Sequence, residues 1–150
     1  MMRVYLDNCC YSRPYDGQKQ IKIQLETEAK LFIQSLVKLK AIKLVASFVL
    51  MEEVNASSEI VKVQAVMSFI NEHSSVFVGS DCINELTPMA ANAIMTGVKA
   101  KDAIHLACAI FAECDYFIST DKRLLNYTSD KIKLLNPIEF MELWEEINHE

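Results

Sequence analysis

The sequence predicts an α/β fold, in which helices cover both faces of a central, mostly parallel sheet of about five strands. Short β-branched-rich runs alternate along the chain with longer segments whose apolar residues recur at helical spacing. Only 3 Gly and 3 Pro interrupt the 150 residues, which is typical of a helix-rich globular protein. No repeat, linker or low-complexity tract divides the chain, so we expect one domain over residues 1–150.

The predicted strands are short, and helical segments separate them. The first, Arg3–Leu6, runs straight into Asp7, and the loop after it carries the turn signals Arg13-Pro14 and Asp16-Gly17. The later strands are predicted at Ile42–Ala46, Val76–Val78, Tyr116–Ile118 and Ile132–Leu135. Strands that are joined through helices need crossover connections, so these strands should lie parallel.

The predicted helices are recognised by their apolar stripes and by the residues that begin and end them. Ser47 and Ser57 or Ser58 can each cap a helix, Pro88 can follow a Thr87 cap at the first helical position, and Gly97 can close that helix. The helices are predicted at Gln20–Leu39, after Ser47, at Glu59–Glu72, from Pro88, within KAKDAIHLACAIFAEC, and at Ile138–Ile147 after an Asn136-Pro137 cap.

The overall charge argues against a large nucleic-acid interface. The formal net charge is −5 and the isoelectric point is near 5.2, whereas dedicated nucleic-acid binders are usually basic. An enzyme that contacts a few phosphates beside a metal ion remains compatible with this charge. No apolar run is long enough for a membrane helix and no signal-peptide core is found, so we expect a cytoplasmic protein without membrane contact.

The five cysteines do not form a metal-binding motif. No C-x-x-C pair is found, and Cys108 and Cys114 lie in an apolar helical run that indicates a place in the core. A catalytic thiol at Cys9 or Cys10 is an open alternative, but no histidine in the sequence is placed beside either residue.

Four acidic residues fall at or near the junctions between predicted strands and helices: Asp7, Glu53, Asp102 and Asp121. In parallel sheets, ligands bind beyond the carboxyl ends of the strands, so these side chains can converge at one edge. Clustered carboxylates repel one another unless a cation lies between them. Mg²⁺ and Mn²⁺ prefer oxygen ligands, and such a site supports hydrolysis of phosphodiester bonds.

Each of these acids also has an ordinary structural explanation. Asp7 can begin a turn, and Asp102 can complement the dipole of its helix. Asp121 can cap a short helix at Lys122–Leu125, and Glu53 can be a solvated helix residue. These explanations are weakest for Asp102, because it leads into the most hydrophobic helix of the chain and should lie near the core.

Four segments resemble, in order, the acidic blocks of the PIN-domain family: VYLDNCCYSRP, SFVLMEEV, KAKDAIHLACA and FISTDKRLL. The resemblance covers nearly the whole chain, and its specificity lies in the combination of the blocks. It implies a three-layer α/β/α sandwich and ribonuclease activity that depends on Mg²⁺ or Mn²⁺. Many small single-domain members are toxins of the VapC type, which a partner antitoxin restrains.

By this resemblance, the metal-binding and catalytic acids are Asp7, Glu53, Asp102 and Asp121. Glu53 is preferred to Glu52 because the family pattern places the acid six residues after a serine, here Ser47. Thr120 matches a hydroxyl residue before the last acid and could orient a metal-bound water or that carboxylate. The chain departs from the commonest pattern at Asn8, where many members carry Ser or Thr.

Several basic residues near the acids are candidates for contacts with RNA. Arg13, Lys101 and Lys122 are the candidate substrate-binding residues, and Lys99 and Arg123 lie in the same segments. Ordinary solvated side chains are the alternative explanation for all of them.

Two further points stay open at the level of sequence. His105 is read as a satisfied, partly buried histidine, although it could help to position Asp102, three residues before it. The rival to a nuclease is a catalytically silent PIN-like binding or scaffold protein. An apolar helical surface could in addition serve a homodimer or an antitoxin contact.

Overall fold

The computed structural model describes residues 1–11 and 21–148. The predicted turns at Arg13-Pro14 and Asp16-Gly17 lie outside the described residues, as does the candidate substrate contact Arg13.

The sheet has five parallel strands, with the first strand at its centre. The strands are β1 (Arg3–Leu6), β2 (Lys43–Ser47), β3 (Ser74–Val78), β4 (Tyr116–Ile118) and β5 (Lys133–Leu135). Their order across the sheet is β3-β2-β1-β4-β5, so the direction of winding reverses between β1 and β4. This switch point is where an open parallel sheet offers a crevice for ligands.

The described part of the chain has six α-helices: α1 (Ile21–Lys38), α2 (Phe48–Asn55), α3 (Ile60–His73), α4 (Ile83–Met95), α5 (Ala100–Phe111) and α6 (Pro137–Ile147), the last of which follows the final strand. Among the helices that the structure describes, none is long and apolar enough to cross a membrane.

The helices form two layers because alternate residues of each strand face opposite sides. Val4 and Leu6 of β1 pack in one core with α1, α3 and α6, while Tyr5 packs in the other core with α4 and α5. The central strands β1 and β2 are buried on both faces, as expected for a parallel sheet between two helical layers. The predicted three-layer α/β/α fold is therefore confirmed.

Two of the predicted caps are confirmed. The side chain of Ser47 accepts a hydrogen bond from the backbone N–H of Leu50 and begins α2. Asn136 and Glu139 form a reciprocal capping box that begins α6, with Pro137 in the first turn.

The predicted start of α4 at Pro88 is wrong, since the helix begins at Ile83 and Pro88 lies inside it. Leu86, Ala90 and Ala93 form one buried stripe that spans the proline, and their packing carries the helix through it. Thr87 does not cap this helix, because its hydroxyl donates to the carbonyl of Ile83. The predicted end is confirmed: Gly97, at φ +100°, follows the last turn.

The predicted serine cap of α3 is also wrong. Glu59 holds the N-cap position without a side-chain capping bond, and Ser57 instead accepts a hydrogen bond from the backbone N–H of Glu59. The other boundaries agree within about two residues, which is the usual uncertainty of helix and strand ends.

Candidate functional site

The four predicted acids line one open cavity of about 370 Å³ at the carboxyl edge of the sheet. Each comes from a different element, because Asp7 follows β1, Glu53 lies on α2, Asp102 lies in the first turn of α5, and Asp121 follows β4. Asn8, Cys9, Lys101 and Thr120 complete the lining. Sequence positions separated by more than a hundred residues therefore meet where the strand order reverses.

Asp7 is held through both of its carboxylate oxygens. Oδ1 accepts a hydrogen bond of 2.9 Å from the backbone N–H of Asn8, and Oδ2 accepts one of 2.7 Å from the hydroxyl of Ser119. Asn8 thus contributes its backbone to the site.

Ser119 connects Asp7 to the fourth acid. Its fully buried hydroxyl oxygen also accepts a hydrogen bond of 3.1 Å from the backbone N–H of Asp121. Ser119 was not among the predicted site residues. The available signal was its position directly after the predicted strand Tyr116–Ile118 and two residues before the fourth acid.

Glu53 is the acid of α2 that faces the cavity, whereas Glu52 is exposed to solvent. One carboxylate oxygen, Oε2, lies 3.1 Å from Nε2 of His105 and 3.3 Å from Nζ of Lys101. The hydrogen bond from His105 outweighs the opposite effect of burial and, together with nearby Lys101, lowers the pKa of Glu53 to about 2. Glu53 is therefore ionised at neutral pH and its orientation is set by two donors.

A buried chain of hydrogen bonds runs behind Glu53. Nδ1 of His105 lies 2.7 Å from the hydroxyl of Tyr5, which lies 2.7 Å from the hydroxyl of Ser47. These three residues are at most 1% exposed. An ionised carboxylate only accepts hydrogen bonds, so Nε2 of His105 carries a hydrogen and donates to Glu53. His105 is thus the satisfied histidine that the sequence predicts, fully buried, and it positions Glu53 of a neighbouring helix instead of the alternative, Asp102.

Asp102 has the opposite electrostatic environment to Glu53. Burial raises the pKa of its carboxyl group, and the charges of Asp7 and Asp121 raise it further. Without a metal ion, the carboxylates therefore repel one another, and this repulsion contributes to the raised pKa of Asp102. A cation in the cavity would relieve that repulsion.

The donor atoms fit a hard divalent metal ion. An oxygen of Asp7 and an oxygen of Glu53 lie within 4.8 Å of one another, and the carboxylates of Asp102 and Asp121 line the same cavity. This set is rich in carboxylate oxygens, which Mg²⁺ and Mn²⁺ prefer.

Cys9 also lines the cavity, and its thiol is unusually acidic. A hydrogen bond with Cys10 lowers the pKa of Cys9 to about 7 against the effect of burial. Among the residues that the structure describes, the hydrogen-bond partners of its sulfur atom are Cys10, Ser119 and Thr120. No histidine is among these partners to act as its base, so the geometry does not support a Cys–His pair.

The predicted supporting residues are placed unequally. Thr120 and Lys101 line the cavity, and Lys101 is paired with Glu53. Lys122 is exposed and lines neither this cavity nor the one beside it, whereas its neighbour Arg123 lines the adjacent cavity. Asp121 also behaves as a turn residue, since its side chain accepts hydrogen bonds from the backbone N–H groups of Arg123 and Leu124.

No family model and no curated protein matches the sequence, so the comparisons rest on solved structures. The crystal structure of VapBC2 from Rickettsia felis, bound to a DNA fragment from its promoter, has a similar chain with a TM-score of 0.55 at 12% identity. The match covers 90% of this chain and 98% of that one.

Two further solved structures are similar to this chain. FitAB bound to an IR36 DNA fragment has a TM-score of 0.58 at 15% identity, over 90% of this chain and 95% of that one. FitAcB from Neisseria gonorrhoeae has a TM-score of 0.54 at 16% identity, over 89% of this chain and 97% of that one. These likenesses confirm, at the level of the fold, the PIN-like architecture that the acidic blocks of the sequence predict.

Proposed function

We propose that this protein is an endoribonuclease that depends on Mg²⁺ or Mn²⁺ and hydrolyses phosphodiester bonds in RNA. The observation that carries the proposal is the convergence of Asp7, Glu53, Asp102 and Asp121 on one cavity. These acids are arranged at a cost, since burial and, in addition, the charges of Asp7 and Asp121 raise the pKa of Asp102. An arrangement that is unfavourable without a cation supports a metal-binding role better than four unrelated turns and caps do.

The residues of the chain have separable tasks in this proposal. When bound, a divalent ion lowers the pKa of a coordinated water and neutralises charge on phosphate oxygens. Asp7 is preorganised by Ser119 and Asn8, and Glu53 is preorganised by His105, so their orientations do not have to be found during the reaction. Lys101, exposed at the rim, can pair with a phosphate as well as with Glu53.

Part of the proposal concerns partners. The sequence resembles the PIN-domain family, whose small members include toxins of the VapC type, and the fold is shared with chains of VapBC2 and FitAB. We therefore propose that this protein is the toxin of a toxin–antitoxin pair. A homodimer is compatible with this assignment. A cytoplasmic location, where RNA substrates occur, belongs to the same proposal.

The first test is metal binding, followed by calorimetry. Mn²⁺ is titrated into the wild-type protein and into Asp102→Asn, and we expect heat of binding in the wild type that is lost in the variant. Absence of Mn²⁺ binding to folded wild-type protein would contradict the metal site and favour the silent scaffold.

The matched test of activity uses the two adjacent glutamates. Glu53→Gln should lower the rate of Mn²⁺-dependent RNA cleavage by roughly 100-fold or more, because it removes a charge within the acidic cavity. Glu52→Gln makes the same chemical change one residue away, on the exposed side, and should cleave at the wild-type rate. Equal rates for the two variants would mean that Glu53 has no part in catalysis. EDTA should abolish cleavage by the wild type.

A further inference from the structure

A second cavity opens beside the acidic one, and we propose that it binds one nucleotide of the RNA strand next to the cleaved phosphate. This inference rests on the proposed function and adds a substrate subsite to it. The cavity has a volume of about 380 Å³ and lies between the segment that joins α4 to α5 and the turn after β4. Pockets for small ligands range from about 300 to 1,000 Å³, so this one suits a single nucleotide better than a longer stretch of strand.

The two cavities share Asp102. This residue lines the acidic cavity with one group of neighbours, and the second cavity with Gly97, Lys99 and Arg123. A strand whose phosphate lies at the acids would therefore have its next nucleotide at the second cavity. A site for a free metabolite would not need this continuity with the acids.

The charge of the second cavity suits a phosphate group. Lys99 and Arg123 line it, both are exposed, and neither forms an ion pair with any residue that the structure describes. Lys101, by contrast, is already paired with Glu53. The two unpaired cations outnumber the one carboxylate of the lining, Asp102, although the protein as a whole is acidic.

The second cavity also offers an aromatic surface. Tyr127 is half-buried, lines the cavity and has no ring partner among the described residues, unlike Tyr5, which stacks on Phe117. A tyrosine ring in a cationic groove is the usual element of single-strand binding, because every base presents a face that can stack on it. Tyr127 therefore completes the subsite with a platform for the base, and the cations hold the adjoining phosphate.

The test measures binding of RNA without turnover. A short single-stranded RNA of mixed sequence, labelled with fluorescein, is bound in EDTA at low salt and followed by fluorescence anisotropy. We expect Tyr127→Leu and Arg123→Gln each to weaken binding roughly tenfold. Tyr127→Phe keeps the ring and should bind like the wild type, which separates the contribution of the ring from that of the hydroxyl group.

The matched control is Lys122→Gln. It removes one positive charge next to Arg123 but outside both cavities, so its effect on binding should be less than about twofold. Arg123→Gln should also lower the slope of log affinity against log salt by about 0.7, which corresponds to one phosphate contact on a single strand. The same change in Lys122→Gln would overturn the assignment of this contact to Arg123.

The outcomes separate the subsite from the proposed function. The subsite is wrong if Tyr127→Leu and Arg123→Gln bind RNA as tightly as Lys122→Gln does. The proposed function nevertheless stands in that case if the wild type cleaves RNA with Mn²⁺. If the wild type does not bind RNA in EDTA, the subsite is wrong, and cleavage of RNA with Mn²⁺ then decides the proposed function separately. Adenosine 5′-monophosphate is added as a competitor. If its affinity equals that of the RNA strand, the second cavity is a site for a free nucleotide and not a subsite for an RNA strand.

Discussion

At the scale of single residues, the acids of the site depend on neighbouring side chains that hold them in position. Ser119 orients Asp7, and the chain from Ser47 through Tyr5 to His105 orients Glu53. Buried polar groups are costly unless each has a partner, and here each hydrogen bond ends at a group that lines the acidic cavity or at the backbone that caps α2. The buried hydrogen bonds from Ser47 through Tyr5 to His105 therefore serve to hold Glu53 in position.

Tyr5→Phe tests this network with the loss of one oxygen atom. Nδ1 of His105 would lose its partner in a fully buried place, so we expect the free energy of unfolding to fall by about 1–3 kcal/mol. Urea denaturation measures this change. The rate of Mn²⁺-dependent cleavage should fall as well, because Glu53 would lose its support.

Tyr116→Phe is the control for this substitution. Tyr116 lies on the neighbouring strand β4, and its hydroxyl makes no hydrogen bond within the part of the chain that the structure describes. Its loss should change the free energy of unfolding by less than about 0.5 kcal/mol. If both variants were equally stable and equally active, the buried chain would have no part in holding Glu53.

At the scale of elements, α5 carries a conflict between stability and the site. An acid in the first turn of a helix normally stabilises it through the helix dipole. Burial and the charges of Asp7 and Asp121 nevertheless raise the pKa of Asp102. A carboxyl group whose pKa is raised by folding contributes stability below its unfolded pKa, and this contribution is lost as the pH rises through the folded value.

Asp102→Asn should therefore stabilise the metal-free protein at neutral pH. The neutral amide keeps the shape of the side chain and removes the repulsion, and we expect Tm in EDTA to rise by about 2 °C. The rise is small because the carboxylate is only half-buried and water screens it. The difference should vanish near pH 3, where Asp102 of the wild type is itself protonated.

Differential scanning calorimetry of the two proteins at both pH values makes the comparison. A variant that is less stable than the wild type at neutral pH would mean that the helix dipole outweighs the repulsion among the acids. Asp102 would then be an ordinary first-turn residue, as its position alone would suggest.

The elements also show what could be predicted from the sequence. The caps at Ser47 and Asn136 are local, since donor and acceptor lie three residues apart, and both were predicted. The start of α4 was not, because the packing of Leu86, Ala90 and Ala93 against other elements overrides the local preference of Pro88. Local signals fail where tertiary packing decides.

At the scale of the whole molecule, the acids could be predicted from local signals, whereas the residues that hold them by hydrogen bonds could not. The convergence of the four acids could be predicted because each lies at or near a local junction of strand and helix, and because parallel strands present their carboxyl ends at one edge. The partners of these acids could not. His105 meets Glu53 across 52 positions and Ser119 meets Asp7 across 112, and such pairs depend on the register between elements.

The assembled cluster should make the stability of the whole fold depend on metal. An ion that binds only the native state stabilises it by RT ln(1 + [L]/Kd), which is about 2.7 kcal/mol at a hundredfold excess over Kd. For a chain of this size that corresponds to a rise in Tm of about 5–10 °C on adding Mn²⁺ at neutral pH. EDTA should reverse the rise.

The pH dependence of this rise identifies the ligands. Protonation of the carboxylates competes with the metal, so the effect of Mn²⁺ should disappear as the pH falls below the range in which carboxyl groups ionise. Glu52→Gln should respond to Mn²⁺ like the wild type, and Asp7→Asn should not respond, because only Asp7 of these two residues lines the acidic cavity. An equal response in all three proteins would place the bound metal elsewhere on this acidic surface and would leave the four converging carboxylates without the ion that explains them.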